Sequence, residues 1–202
     1  PGSFDLMPNQ VMQAPFLEAP NIAVRKEYRI VRSLSDDEDT VDPDGLSIPV
    51  VANLIFKNDE AQRMGRQLPT GTVRLYQADE TGVLRFLGED QIAESASGME
   101  VRLGLGAISD LTAKWRTTDH KLNEPSSTRR SEEEKSFEVT LINRKDCLLT
   151  VHVQVDVQGD WTLLSSNFPG IKEQAHTLGF QVPVPSKGHA KLICRVRSQT
   201  TR

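Results

Sequence analysis

Cysteine is nearly missing from this chain: only Cys147 and Cys194 occur among 202 residues. Their spacing fits neither a zinc site nor a Cys-X-X-Cys redox pair. Strand alternation allows both to face a core, where they would serve as small hydrophobes. The alternative is a disulfide, which would require an oxidising compartment. Aromatic residues are also scarce, at 5% of the chain, too few for a broad sugar-stacking surface. Trp115 with Arg116, or Trp161 with Tyr76, could form a small one, but packing in the core and at interfaces accounts for these rings better.

Long apolar runs are absent. No stretch approaches the roughly 18 consecutive apolar residues of a membrane span, so none is expected in this fragment. Excess positive charge is absent too. Residues 25–121 carry 13 Lys and Arg against 17 Asp and Glu, and residues 122–202 carry 11 against 9. Phosphate-backbone binding needs a basic excess that neither half has, which argues against nucleic acid as a partner. The chain opens on Pro1-Gly2-Ser3 without an initiator Met and reads there as a remnant of cloning, so the lack of a targeting segment says nothing about compartment. Helical periodicity is lacking as well. The best candidate, DEAQRMGRQL at 59–68, carries a glycine and few apolar residues, and predicts at most one short turn.

What the chain does contain is alternation. Residues 1–24, with four prolines, read as an extended lead-in. Strand-like runs follow in EYRIVRS, VVANLIFKN, TVRLY, VLRFLGEDQI and EVRLGL, with turn residues at Asp79-Glu80-Thr81-Gly82 and Ser97-Gly98. Further on, Val151, Val153, Val155 and Val157 alternate without a slip against His152, Gln154, Asp156 and Gln158. Successive strand side chains point to opposite faces, so this is the pattern of a strand with one wet face. Phe137/Val139/Leu141, Phe180/Val182/Val184 and Leu192/Cys194/Val196 repeat it. The prolines in QVPVPS mark their strand as an edge or as bulged, because proline cannot donate to a ladder. Trp161 is the expected core aromatic of this half.

The expected fold is all-β, built as two β-sandwich modules. The first spans 25–121 and the second, immunoglobulin-like, spans 136–198. Between them, LNEPSSTRRSEEEK at 122–135 is polar, and reads as a linker or a hairpin tip.

The run QRMGRQLPTGTVRLYQADETGVLRFLGEDQIAESASGMEVRLGLG at 62–106 resembles the hallmark stretch of the bacterial domain of unknown function 4139, found in mucoidy-inhibitor-A-like proteins. LINRKDCLLTVHVQVDVQGDWTLLSS and FQVPVPSKGHAKLICRVR are similar to later parts of that family. The chain departs from the pattern at Thr70, at Ser97-Gly98-Met99 and at Cys194. The resemblance implies the β-rich C-terminal region of a larger envelope protein, located in the periplasm or cell envelope. It implies no catalytic residues.

Candidate sites are few. The acidic loop around Asp42 and Asp44 offers oxygen ligands for a cation. However, registering Gly45 at the invariant glycine of a calcium loop puts Thr40 first and Val51 last, where carboxylates are needed. A solvated loop explains it better, and no metal or cofactor is expected. Glu89 and Asp90 stand side by side on a strand and so point to opposite faces, which suits the capping of backbone N–H groups near the Gly88 bend better than paired acid–base catalysis. Gly104 and Gly106 form only a fragment of a dinucleotide fingerprint with no helix behind it, and fit close strand packing. The four histidines have no ligand spacing, and His152 falls in the solvent-facing row.

The leading expectation is therefore a non-enzymatic structural or interaction module that binds a protein partner or itself through sheet edges or loops. The alternative is a carbohydrate-binding or hydrolytic module with a cleft between the two sandwiches, around Glu89, Asp90, Trp115 and Asp119.

Overall fold

The computed structural model describes residues 7–9, 11, 17–35, 45–123 and 130–201, and they form an all-β protein. Eleven strands run in chain order: β1 Arg25–Ser33, β2 Leu46–Lys57, β3 Gly71–Ala78, β4 Leu84–Ile92, β5 Glu100–Asn123, β6 Arg130–Asn143, β7 Leu149–Asp156, β8 Asp160–Ser166, β9 Gly170–Gln174, β10 Thr177–Val184 and β11 His189–Thr201. The expected helical turn shrinks to the 3-10 turn Glu60–Gln62, capped at its start by the Asp59 carboxylate.

Nine strands make one sheet in the order β8-β11-β6-β5-β2-β1-β7-β10-β9, and β3 pairs with β4 in a separate hairpin. Every pairing is antiparallel except β1 with β7, which is parallel. The long strand β5 bridges the two parts of the chain, pairing with β2 over its first two-thirds and with β6 over its second half. Register shifts on β5 between Gly104 and Gly106 and between Thr117 and Asp119 mark bulges. Bulges bend a strand and raise its twist, and so help the sheet curl round a core.

That core takes side chains from all round the sheet. Ile30, Val50, Leu111, Trp115, Phe137, Val139, Leu141, Val151, Val153, Val155, Phe180, Val182, Leu192 and Cys194 are among its buried members. Each fully buried Val, Leu or Phe side chain stabilises the fold by roughly 1.5–3 kcal/mol. The end strands β8 and β9 share no ladder, yet the seam between them is packed. Trp161 Nε1 donates to the Ala175 carbonyl at 2.9 Å, and Leu163, Phe180 and Leu178 fill the space where a Cβ on Gly170 would go. The sheet is thus nearly closed.

A smaller core lies where the β3–β4 hairpin packs against the far ends of β2 and β5. Leu68, Val101 and Leu103 are buried there, with Leu17, Leu54, Phe56, Val73, Leu75 and Ile92 against them. Leu17 ties part of the lead-in to this core.

The two cores do not divide the chain at 122–135. Strands β1, β2 and β5, from 25–121, share one sheet with β6 to β11. The polar stretch joins two paired strands, with Asn123 opposite Glu132, which is the hairpin alternative. The proline half of β10 is an edge, as the sequence suggests, because β9 covers only Thr177–Phe180. Trp115 is the core aromatic, 4% exposed and stacked on Phe137 with ring centroids 4.2 Å apart. Trp161 is only partly buried at the seam. It stands near the start of the end strand β8, whereas Trp115 lies mid-sheet.

Candidate functional site

The residues expected around a cleft are carried to different places. Asp90 turns back onto β5, and its carboxylate accepts from the Gly104 N–H at 2.6 Å and from the Gln91 N–H at 2.8 Å. This is the backbone capping expected of it, and it fastens the hairpin to the main sheet. A Cβ on Gly104 would stand 3.3 Å from the Asp90 carboxylate, so glycine there allows the close approach. Glu89 lies on the opposite hairpin face, paired with Arg74 at 3.2 Å. Trp115 is sealed in the large core. Asp119 is exposed and pairs with Lys121 at 3.3 Å. From Gly104 to Asp119 is on the order of 45 Å of strand. These four side chains share no cleft.

Asp42 and Asp44 lie outside the described residues. Among the described residues, no group of three or more His, Cys, Asp and Glu side chains is placed to hold a metal ion. Nor is any helix among the described residues long and apolar enough to cross a membrane.

Cys147 is exposed and Cys194 buried, and both are free thiols. Cys147 sits in the turn between β6 and β7 rather than facing the core with its neighbour. Burial pushes the Cys194 thiol up to about 12, which leaves it protonated and unreactive.

His152 is not solvent-facing: it is 9% exposed and its Nε2 lies 2.6 Å from a Glu173 carboxylate oxygen. Its cover is the Glu173 side chain of β9, which crosses β10 where the missing side chain at Gly179 leaves room for it. Arg29 joins the row of His152 by a hydrogen bond to Gln154, which in turn donates to Asp156 at 3.2 Å.

Two depressions lie on the surface of the large sheet. One of about 330 Å³ lies between Arg29, Val31, Val51 and Arg102. Of its arginines, Arg102 pairs with Glu27 at 3.3 Å, Arg29 bonds the Gln154 amide and Arg32 lies 5.5 Å from the Trp115 ring centroid. The other, of about 200 Å³, lies beside Trp161 and Arg197. Arg197 is held by Glu134 at 2.6 Å. The first has no carboxylate in its lining, and the second has Asp160 alone, with Thr162 as its one hydroxyl.

The outer face of β5, β6 and β11 is a ladder of opposite charges. Glu134 bonds Arg195 and Arg197, and these two arginines hold its carboxyl below the usual range. Glu138 lies between Arg116 at 2.8 Å and Lys191 at 3.4 Å. Burial works against its charge, but Arg116 and Lys191 win and its carboxyl is also lowered. Such cross-strand pairs stabilise a sheet face and leave little net charge on it.

One surface is different. The distal half of the β3–β4 hairpin exposes Tyr76 (53%), Val83 (58%), Leu84 (67%), Phe86 (56%) and Leu87 (46%). Tyr76 opposes Phe86 and Ala78 opposes Leu84 in the ladder, so these side chains share one face. The two rings meet edge-on at 5.5 Å. On the other face Val73, Leu75 and Ile92 reach the small core. The turn is firmly made: the Asp79 carboxylate accepts from the Thr81 hydroxyl and binds Arg85, which lowers it to about 2. The sequence did carry a signal for this patch. Val83, Leu84, Phe86 and Leu87 are apolar at both parities, more than one buried face can absorb.

Comparison with known proteins adds no relative to these observations: no family model, no curated protein and no solved structure matches the chain.

Proposed function

We propose that this chain is a non-enzymatic interaction module of a larger bacterial cell-envelope protein, of the kind that its resemblance to the domain of unknown function 4139 implies. On this proposal its large sheet is an immunoglobulin-like sandwich whose two layers share strands, and the hairpin with its own core is the second module. The module docks through the face of the β3–β4 hairpin that carries Tyr76, Leu84 and Phe86. One observation carries this: a cluster of apolar side chains, each about half exposed or more, on a hairpin fixed to the sheet by Asp90. Monomeric soluble proteins seldom leave so large a contiguous apolar patch uncovered unless it binds something.

The alternative of a carbohydrate or hydrolytic cleft has no comparable support, since Glu89, Asp90, Trp115 and Asp119 do not converge.

Site-specific photocrosslinking tests the proposal. With a photoreactive phenylalanine at Phe86, irradiation of cells making the protein should give a higher-mass protein adduct. The same group at Thr140, on the outer face of β6, should give none. Adducts from Thr140 alone would place the docking surface elsewhere.

A further inference from the structure

We propose that the partner of the hairpin is the same hairpin on a second copy of the chain, the two pressing their Tyr76–Phe86–Leu84 faces together across a two-fold axis. This deepens, and rests on, the interaction-module reading above. Three observations support it.

The first is area. Tyr76, Leu84 and Phe86, which share the face, present roughly 350 Å² of surface per copy, given their fractional exposure. Two copies would hide about 700 Å² of it between them, the size of a weak, transient contact. A self-complementary patch meets its own image in an isologous contact, the commonest way for soluble proteins to pair.

The second is charge. Arg85 pairs with Asp79 at 2.8 Å and Arg74 with Glu89 at 3.2 Å. These rim charges are satisfied within the hairpin, and Glu80 at the turn is the one carboxylate added to them. Such a rim has no attraction for an acidic or a basic partner. It also does not suit a lipid surface, because insertion would drive the Asp79 carboxylate, lowered to about 2, and Glu80 in first.

The third is architecture. Among the described residues β3 and β4 form a two-stranded sheet with no further strand on either side, and only its base contributes to the small core. A two-stranded ribbon is marginal in water unless a further layer covers it. The face of a second hairpin, stacked at the usual distance of about 10 Å, supplies that layer.

Sedimentation equilibrium over about 5–500 µM protein tests this, a range that spans the micromolar affinities of interfaces this small. The wild type should go from monomer to dimer. Phe86→Glu and Leu84→Glu should weaken association at least tenfold with an unchanged unfolding temperature, since both side chains are exposed in the monomer. Ile193→Glu, exposed on the far outer face, should dimerise like the wild type. A wild type that stays monomeric throughout overturns the self-association, as does a Phe86→Glu variant that dimerises unchanged. Co-sedimentation of a monomeric wild type with phosphatidylcholine vesicles, lost in Phe86→Glu, would reassign the patch to lipid and overturn it as well. If the wild type is monomeric but Phe86 still crosslinks to another protein, self-association fails and the interaction module stands. If neither is seen, both fail.

Discussion

At the scale of single residues, buried polar groups in this protein make structure rather than chemistry. Asn143, 1% exposed, donates to the carbonyls of Cys147 and Pro185 at 2.8 and 3.0 Å, and thereby locks the turn that enters β7 to the turn that leaves β10. Asn58, fully buried, binds Arg66 and Ala96 at 2.7 and 3.1 Å and does the same beside the small core. Buried amides persist where each hydrogen bond is made. The cysteines show how environment alone separates two identical groups. Cys194 is held protonated by burial, with its thiol near 12, whereas Cys147 is exposed. A disulfide-exchange reagent at about pH 8 should therefore titrate one thiol in the native protein and two after unfolding, and Cys147→Ser should abolish the native reaction. Two fast thiols in the native state would contradict the burial of Cys194.

At the scale of elements, the hairpin is a separable unit tied down by a small number of contacts. Removing the Asp90 carboxylate leaves the partly buried Gly104 N–H without its acceptor, a loss of about 1–3 kcal/mol. Asp90→Ala should therefore speed amide hydrogen exchange across Gly71–Ala78 and Leu84–Ile92, while amides of Leu149–Asp156 keep their protection. Asp90→Asn, which retains an acceptor oxygen, should restore part of it. Equal acceleration in both regions would show that the hairpin is not an independent unit. The sequence showed the hairpin itself through its turn and its alternation. It did not show that the outer half would lack cover, because that depends on where β5 runs.

At the scale of the whole molecule, ionised carboxylates are tied into the sheet and should set its acid limit. Asp79, Glu134 and Glu138 all titrate below their ordinary values. Depressed carboxylates contribute stability that is fully present above the unfolded-state pKa values of about 4 and is lost as pH falls through the lower folded-state ones. The unfolding temperature should thus hold steady down to about pH 5 and fall below it, the contribution of Asp79 persisting to near pH 2. Glu134→Gln should flatten the upper part of that fall, and about 1 M salt should shrink the difference, because exposed pairs are screened. A thermal melt series that rises on acidification would contradict the sign.

The sequence by itself determined the strand character of the chain and which face of each strand is apolar, because alternation is a local property. It also determined the roles of turns such as Asp79–Gly82 and of the prolines in β10. Only the tertiary structure decided which strands are neighbours. The parallel pairing of β1 with β7 and the span of β5 across both parts of the chain put β1, β2 and β5 into one sheet with the strands of 136–198, since ladder bonds are made by backbone groups that every residue carries. The same pairing buried Trp115 and covered His152 while it left Tyr76 and Phe86 bare. Whether an apolar face is core or docking surface depends on what lies across from it; the surplus of apolar residues at 83–87 shows that one face must stay uncovered by the hairpin's own core, and not which.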